Sequence, residues 1–357
     1  MVAGISEVLF GTLADGRVIK KYRLRNAAGA EATFTNLGAA WIGFSCAKDE
    51  PSLVLGCDTL ATLIAQRAYL GSTLGRFANR IGQGRFPLQG TAVQLDINLP
   101  PHHIHGGDQG FSGQVWDSRI GLTDATQPSL IFSHHSADGT AGYPGNVEVQ
   151  VSITLTADNR VRFEYKAQTD RATILNLSNH AYFNLNGRLS GSLAEHEFQI
   201  HASQFLESDE ASLPTGAIVD VVDTVLDLQQ WTAIYDDLTR LSDDRLRRAS
   251  GFDHCFCFTD DQNLKPMASA RSTQTGRVLT CSSTLPGLQF YSGNFLGGTL
   301  FDQADCYQQH GAFCFEPGYW PDAPNQPHFP NCSFDEHKGY QAIIEYAFTE
   351  TDGGPES

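Results

Sequence analysis

The chain has 357 residues, 41% of them hydrophobic and 10% aromatic, which supplies a substantial core and argues against disorder. Its formal net charge is −16 with no long Lys/Arg run, a balance that repels phosphate backbones and anionic lipid, so neither nucleic acid nor a membrane is expected as a partner. The eight cysteines (Cys46, Cys57, Cys255, Cys257, Cys281, Cys306, Cys314 and Cys332) form no CxxC pair, and "MVAGISEVLFGTLADGRVIKKY" has neither a signal-peptide core nor a membrane-length apolar run. A soluble protein of the reducing cytoplasm is the expectation.

In chain order, "AEATFTNLG" reads as a first short strand and "TLATLIAQRAYLG" (59–71) as the place for a short helix. "GRFANRIGQGRF" (75–86) sets Arg76, Arg80 and Arg85 among glycines, but it matches neither phosphate-binding fingerprint, GxxxxGK[ST] or GxGxxG. "PPHHIHGGDQGF" (100–111) clusters His102, His103 and His105 on a loop without zinc-ligand spacing, so hydrogen bonding ranks above metal there. "VEVQVSITLT" (147–156) alternates strictly, with Val147, Val149, Val151, Ile153 and Leu155 on one face. Asp158-Asn159 then turns the chain into "RVRFEYKAQT", a hairpin signal.

"LNLSNHAYFNL" (175–185) follows, and a period of two gives it an unusual second face: Asn176, Ser178, His180, Tyr182 and Asn184. That row is either the wall of a polar pocket or a buried network holding loops together. Further strands are expected at "EHEFQIHAS", "FDHCFCFT", "RVLTCSST", "LQFYSG", "AFCFEPG" and "YQAIIEYAF", with one or two helical turns within 229–250. In "GFDHCFCF" (251–258), Asp253 shares a narrow face with Cys255 and Cys257; the carboxylate suits paired hydroxyls or a turn cap, and the cysteines suit core filling. In "GAFCFEPGYWPDAPNQPHFP" (311–330), Glu316 stands behind the small Ala312 and Cys314, with Pro317-Gly318 ending the strand. A carboxylate so placed can be tuned by burial into a general base, or it can be an ordinary ion-pair partner. Many short strands without a compositional break predict one all-β antiparallel sandwich over residues 1–349, and the polar "ETDGGPES" (350–357) reads as a disordered tail.

No GxSxG elbow or helix-flanked nucleophilic cysteine is present. Imidazoles, carboxylates and an arginine remain, a set suited to proton transfer on an uncharged polyhydroxylated ligand. Five segments in order, "GRFANRI", "HIHGGDQGF…VWD", "NLSNHAYFNL", "GFDHCF" and "LQFYSGNFL" followed by "FCFEPGYWPDAPNQPHFP", resemble the galactose mutarotase (aldose 1-epimerase) family over nearly the whole chain. Ser112 departs from the pattern, where the family carries an acidic residue.

The resemblance implies a large antiparallel β-supersandwich and a catalytic acid and base at His180 and Glu316. It places sugar contacts at Asn79, Arg80, His105, Asp253 and Gln289, and free hexoses such as galactose and glucose as substrates. Ring opening and reclosure at C1 needs two proton transfers and neither metal, nucleotide nor covalent intermediate, so no cofactor is expected. A non-catalytic sugar sensor of the same fold, a hexose-6-phosphate epimerase and a glycosidase using Glu316 with Asp253 are the rival readings; the first requires loss of the acid or base, the second a basic phosphate site, and the third a close carboxylate pair.

Overall fold

The computed structural model describes residues 4–124 and 126–350. Three antiparallel sheets organise them. A four-stranded meander runs Gly4–Thr12, Val18–Arg25, Glu31–Thr35 and Ala40–Ser45. A nine-stranded sheet has the spatial order Asp117–Asp124, Gln127–Ser136, Val147–Leu155, Arg160–Thr169, Tyr340–Glu350, Arg277–Ser283, Lys265–Ser272, His196–Ile200 and Thr232–Ala233. A five-stranded sheet orders Pro214–Asp220, Gln204–Ser208, Asp253–Cys257, Gly287–Tyr291 and Cys314–Gly318.

The alternation at 147–155 does what its pattern predicts: Val147, Val149, Val151, Ile153 and Leu155 are buried and Glu148 is exposed. Its register with the next strand is unbroken from Val147↔Thr169 to Leu155↔Val161. Burying each such side chain contributes roughly 1.5–3 kcal/mol. Aromatic residues bind the sheets together. Trp41 of the meander touches Phe163, Tyr346 and Phe348 of the nine-stranded sheet and Phe183 of the central segment. Phe198 of the nine-stranded sheet meets Phe290 and Phe315 of the five-stranded one. One hydrophobic cluster thus draws on residues from Tyr22 to Phe348.

The short helices fall where expected. Leu60–Ala65 is capped by the Thr59 hydroxyl, and Tyr235–Arg240 and Asp244–Ala249 are single turns, the second capped by Asp243. No helix among the described residues is long and apolar enough to cross a membrane. All eight cysteines are free thiols.

Two expectations need correction. Only Ser178–Asn179 of the 175–185 segment is a ladder strand, paired with Thr73–Leu74. The rest is extended chain buried on both sides, because it threads between several elements and does not lie on one sheet face. The last strand of the five-stranded sheet ends at Pro317-Gly318, as its sequence predicts. It tolerates proline because it lies at the sheet edge, where one side of the backbone needs no ladder donor. Glu350, assigned to the tail, ends a strand opposite Arg277; residues 351–357 lie outside those described.

Candidate active site

The five-stranded sheet delivers its polar groups in rows. Cys314 pairs with Tyr291 and Tyr291 with Asp253; Glu316 pairs with Gln289 and Gln289 with Cys255. These six side chains therefore share one face, while Phe315, Phe290 and Phe256 fill the core behind it.

Facing this sheet are two short strands, Arg80–Ile81 and His103–Ile104, paired antiparallel. Each is flanked by a non-glycine residue with left-handed backbone, Asn79 at φ 68° and His105 at φ 52°. Such conformations carry a cost and persist where the surroundings over-determine them. Here the two lock each other. The Asn79 N–H donates to His105 Nδ1 at 3.1 Å, and the His105 N–H donates to the Asn79 carbonyl at 3.1 Å. The Asn79 side-chain oxygen accepts the Arg80 N–H at 2.7 Å. Gly106 follows because a Cβ there would lie 1.8 Å from the Gly75 carbonyl.

Between sheet and loops lies a cavity of about 380 Å³, lined by Asn79, Arg80, His105, His180, Asp253 and Glu316 among others. His180 Nε2 stands 3.7 Å from Glu316 Oε2, and Arg80 Nη2 stands 3.5 Å from Asp253 Oδ2. The His180 ring lies flat between Tyr182, at 5.0 Å, and Tyr69, at 6.1 Å. His105 meets it edge-on at 5.4 Å. Arg80 Nε is buried without a protein partner.

Burial sets the electrostatics. It pushes Glu316 well above the usual carboxyl range; nearby Asp253 adds to that and Arg80 opposes it. It also holds His180 down to about 4, against a raising effect of the ring's own main-chain carbonyl and of Asp253. Although close enough for an ion pair, the two groups are each driven toward the neutral form by desolvation. His105 is pushed well below its usual value by burial and then by the His180 and Arg80 charges. Its Nδ1 accepts a main-chain N–H, so the neutral ring carries its proton on Nε2 and is a hydrogen-bond donor.

The remaining predicted groups lie elsewhere. Gln289 is off the cavity: it donates to Asp253 Oδ1 at 2.6 Å and borders a slot of about 20 Å³ on the far side of Glu316. Arg76 is a buried staple, donating to the carbonyls of Ser136, Ala137 and Pro144. His103 bridges the Asp96 carbonyl and the Tyr143 hydroxyl, and His102 accepts the Gln83 N–H. Within 175–185, both readings of the polar row hold in part. His180 and Tyr182 face the cavity, whereas Asn176, Ser178 and Asn184 bond to main-chain carbonyls.

Sequence reasoning missed Tyr69 and Tyr291 as cavity walls, and no local pattern distinguishes them from core aromatics. Cys314 reads in the sequence only as a small residue near Glu316; its thiol sits 3.5 Å from His180 Nδ1. Ligand atoms of His180, Cys314 and Glu316 lie within 4.8 Å of one another. The imidazole shows Nδ1 to the thiol and Nε2 to the carboxyl, however, so one ion cannot take all three while the ring keeps this orientation.

The family model for aldose 1-epimerase matches residues 20–347. Galactose mutarotase of Bos taurus is 40% identical over 298 residues, 83% of this chain and 84% of that protein. Aldose 1-epimerase of Escherichia coli (strain K12) is 33% identical over 340 residues, 94% of this chain and 96% of that one. Among solved structures, galactose 1-epimerase from Lactobacillus acidophilus NCFM superposes with a TM-score of 0.86 at 25% identity, covering 98% and 99% of the two chains. Fold and relatives agree, and the chain belongs to the aldose 1-epimerase family, whose members are isomerases acting on small sugars.

Proposed function

We propose that this epimerase interconverts the α and β anomers of free hexoses such as galactose and glucose, with Glu316 as general base and His180 as general acid. The observation that carries the reading is the 3.7 Å approach of His180 Nε2 to Glu316 Oε2 in a single cavity. Two groups this close both reach one pyranose, one at the C1 hydroxyl and the other at the ring oxygen.

Glu316 takes the O1 proton as the C1–O5 bond breaks and C1=O forms, while Nε2 of protonated His180 gives its proton to O5. Rotation about C1–C2 presents the other carbonyl face, and the transfers reverse on closure. The pair thus carries one proton throughout. Burial favours the neutral pair, which accompanies the open-chain aldehyde, so desolvation disfavours the ionised pair that begins the step and favours the intermediate that ends it. Arg80 and the Nε2–H of His105 donate to sugar oxygens. Asp253, held by Gln289, and Asn79 fix orientation through hydroxyl contacts. We place the enzyme in the reducing cytoplasm, with residues 4–350 as one domain; the free thiols and the shared core support this.

Polarimetry on fresh α-D-galactose and α-D-glucose tests the reading. Each of Glu316→Gln and His180→Asn is expected to slow mutarotation by about 10²–10⁴-fold. A wild-type rate in either variant refutes the role given to that residue.

A further inference from the structure

The shuttle needs more than a histidine in the right place. Once Nε2 has given its proton to the ring oxygen, the neutral imidazole must keep its other proton on Nδ1. Only then does Nε2 carry the lone pair that takes the proton back when the ring recloses. With the proton on Nε2 instead, the ring has no basic nitrogen facing the sugar. Which nitrogen keeps the proton is decided by the group beside the other one.

At Nδ1 that group is Cys314, whose Sγ lies 3.5 Å away on a fully buried strand residue. The other neighbours of the ring do not compete for this position. Tyr182 and Tyr69 lie against its faces, His105 and Tyr291 meet it edge-on, and Glu316 stands at Nε2. Resting on the acid role assigned to His180, we propose that Cys314 is a positioning residue: its sulfur accepts the Nδ1–H and so reserves Nε2 for proton exchange with the sugar.

A thiol suits the task. Burial pushes Cys314 well above its usual range, so it stays neutral. A carboxylate there would stabilise the imidazolium and make Nε2–H a poorer acid; a neutral, weak acceptor fixes the tautomer without that effect. The ring's own main-chain carbonyl, which already receives the Gly71 N–H, also favours a proton on the ring. The thiol therefore shares the work, and its loss is expected to be felt but not fatal.

The test joins the ¹⁵N spectrum of the His180 ring, recorded near pH 7 where that ring is neutral, to kinetics. In the wild type the ring is expected as the Nδ1–H tautomer. Cys314→Ala is expected to move population to Nε2–H and lower kcat about ten-fold, a typical size for an orienting partner, with KM unchanged. Cys314→Ser restores an acceptor, and with it both tautomer and rate. A wild-type ring protonated on Nε2 overturns the inference, as does a Cys314→Ala enzyme with native tautomer and rate. The spectrum needs no substrate, so it stands apart from the acid role itself; failure of that role appears instead as an unimpaired His180→Asn.

Discussion

Two buried stretches of this chain satisfy their backbones in opposite ways. The hairpin of Val147–Leu155 and Arg160–Thr169 pairs main chain with main chain along its whole length, and its inward side chains are apolar or aromatic up to Thr169 at its end. The 175–185 segment is stitched one residue at a time to separate parts of the fold: Leu175 to Cys332, Asn176 to Arg76, His180 to Ser72, Phe183 to Phe313 and Asn184 to Leu53. Where no main-chain partner is available, side chains step in. Leu177 N–H reaches the Tyr340 hydroxyl and Leu185 N–H reaches His196 Nε2. The hairpin is built for stability alone. The stitched segment gives up the ladder so that His180 can face a cavity, and polar side chains replace the bonds it abandons.

The largest expected contrast is functional. Glu316→Gln or His180→Asn should remove about 10²–10⁴ in kcat with the fold intact. Val151→Ala in the hairpin should cost roughly 2–3 kcal/mol of stability while the folded fraction turns over normally. Polarimetry beside thermal unfolding checks both, and a catalytic collapse in Val151→Ala would erase the distinction.

The pH profile sharpens it. Activity requires the pair to hold one proton. The acid limb of kcat/KM should fall as the pair gains a second, near His180's value of about 4. The alkaline limb should fall where the last proton leaves, at the raised value of Glu316. Stability should also fail in acid. His180, His196 and His254 are held down by burial to about 4, 3 and 4, so the unfolded chain protonates first. Their contribution is complete above about pH 6.5 and is lost as pH falls toward those values, at roughly 1.4 kcal/mol per pH unit for each. Protonating His196 also removes the acceptor of Leu185 N–H, so hydrogen exchange in acid should rise at 175–185 before it rises in the hairpin.

Next in size is Asn176→Ala. The amide donates to the Ala78 and Tyr319 carbonyls and accepts the Tyr319 N–H, three bonds together worth roughly 3 kcal/mol. Because Ala78 precedes Asn79, sugar affinity should fall along with melting temperature. Unchanged KM and melting temperature would show the staple to be dispensable.

This contrast also explains what the sequence made legible. The hairpin was readable because one physical rule, alternation against a core, governs every residue in it. Glu316 and Asp253 were readable as candidates because each interrupts such a pattern in a strand of otherwise apolar or small residues. The 175–185 segment gave a false strand because its alternation arises from two kinds of burial, apolar packing and amide stapling, and not from a sheet with two sides. Gln289 and Cys314 were named without their partners, since a contact between residues 134 positions apart, such as Cys314 with His180, leaves no trace in local spacing.

The smallest effect is also the most specific to the catalytic corner. A carboxyl whose pKa is raised on folding binds its proton more tightly in the native state than in the unfolded chain. As pH rises past the unfolded value of about 4.3, the unfolded state ionises freely while the native state resists, so stability is lost up to the native pKa. Glu316 is such a group, buried at the sheet edge with Asp253 nearby. Glu316→Gln keeps the shape and removes the ionisation, so at neutral pH it should unfold at a higher temperature than the wild type, by on the order of 1 kcal/mol. The gain should vanish near pH 4, where the wild-type carboxyl is protonated in both states. A gain that persists in acid would have to come from packing, and equal or lower stability at neutral pH would mean that Glu316 is held ionised by its surroundings.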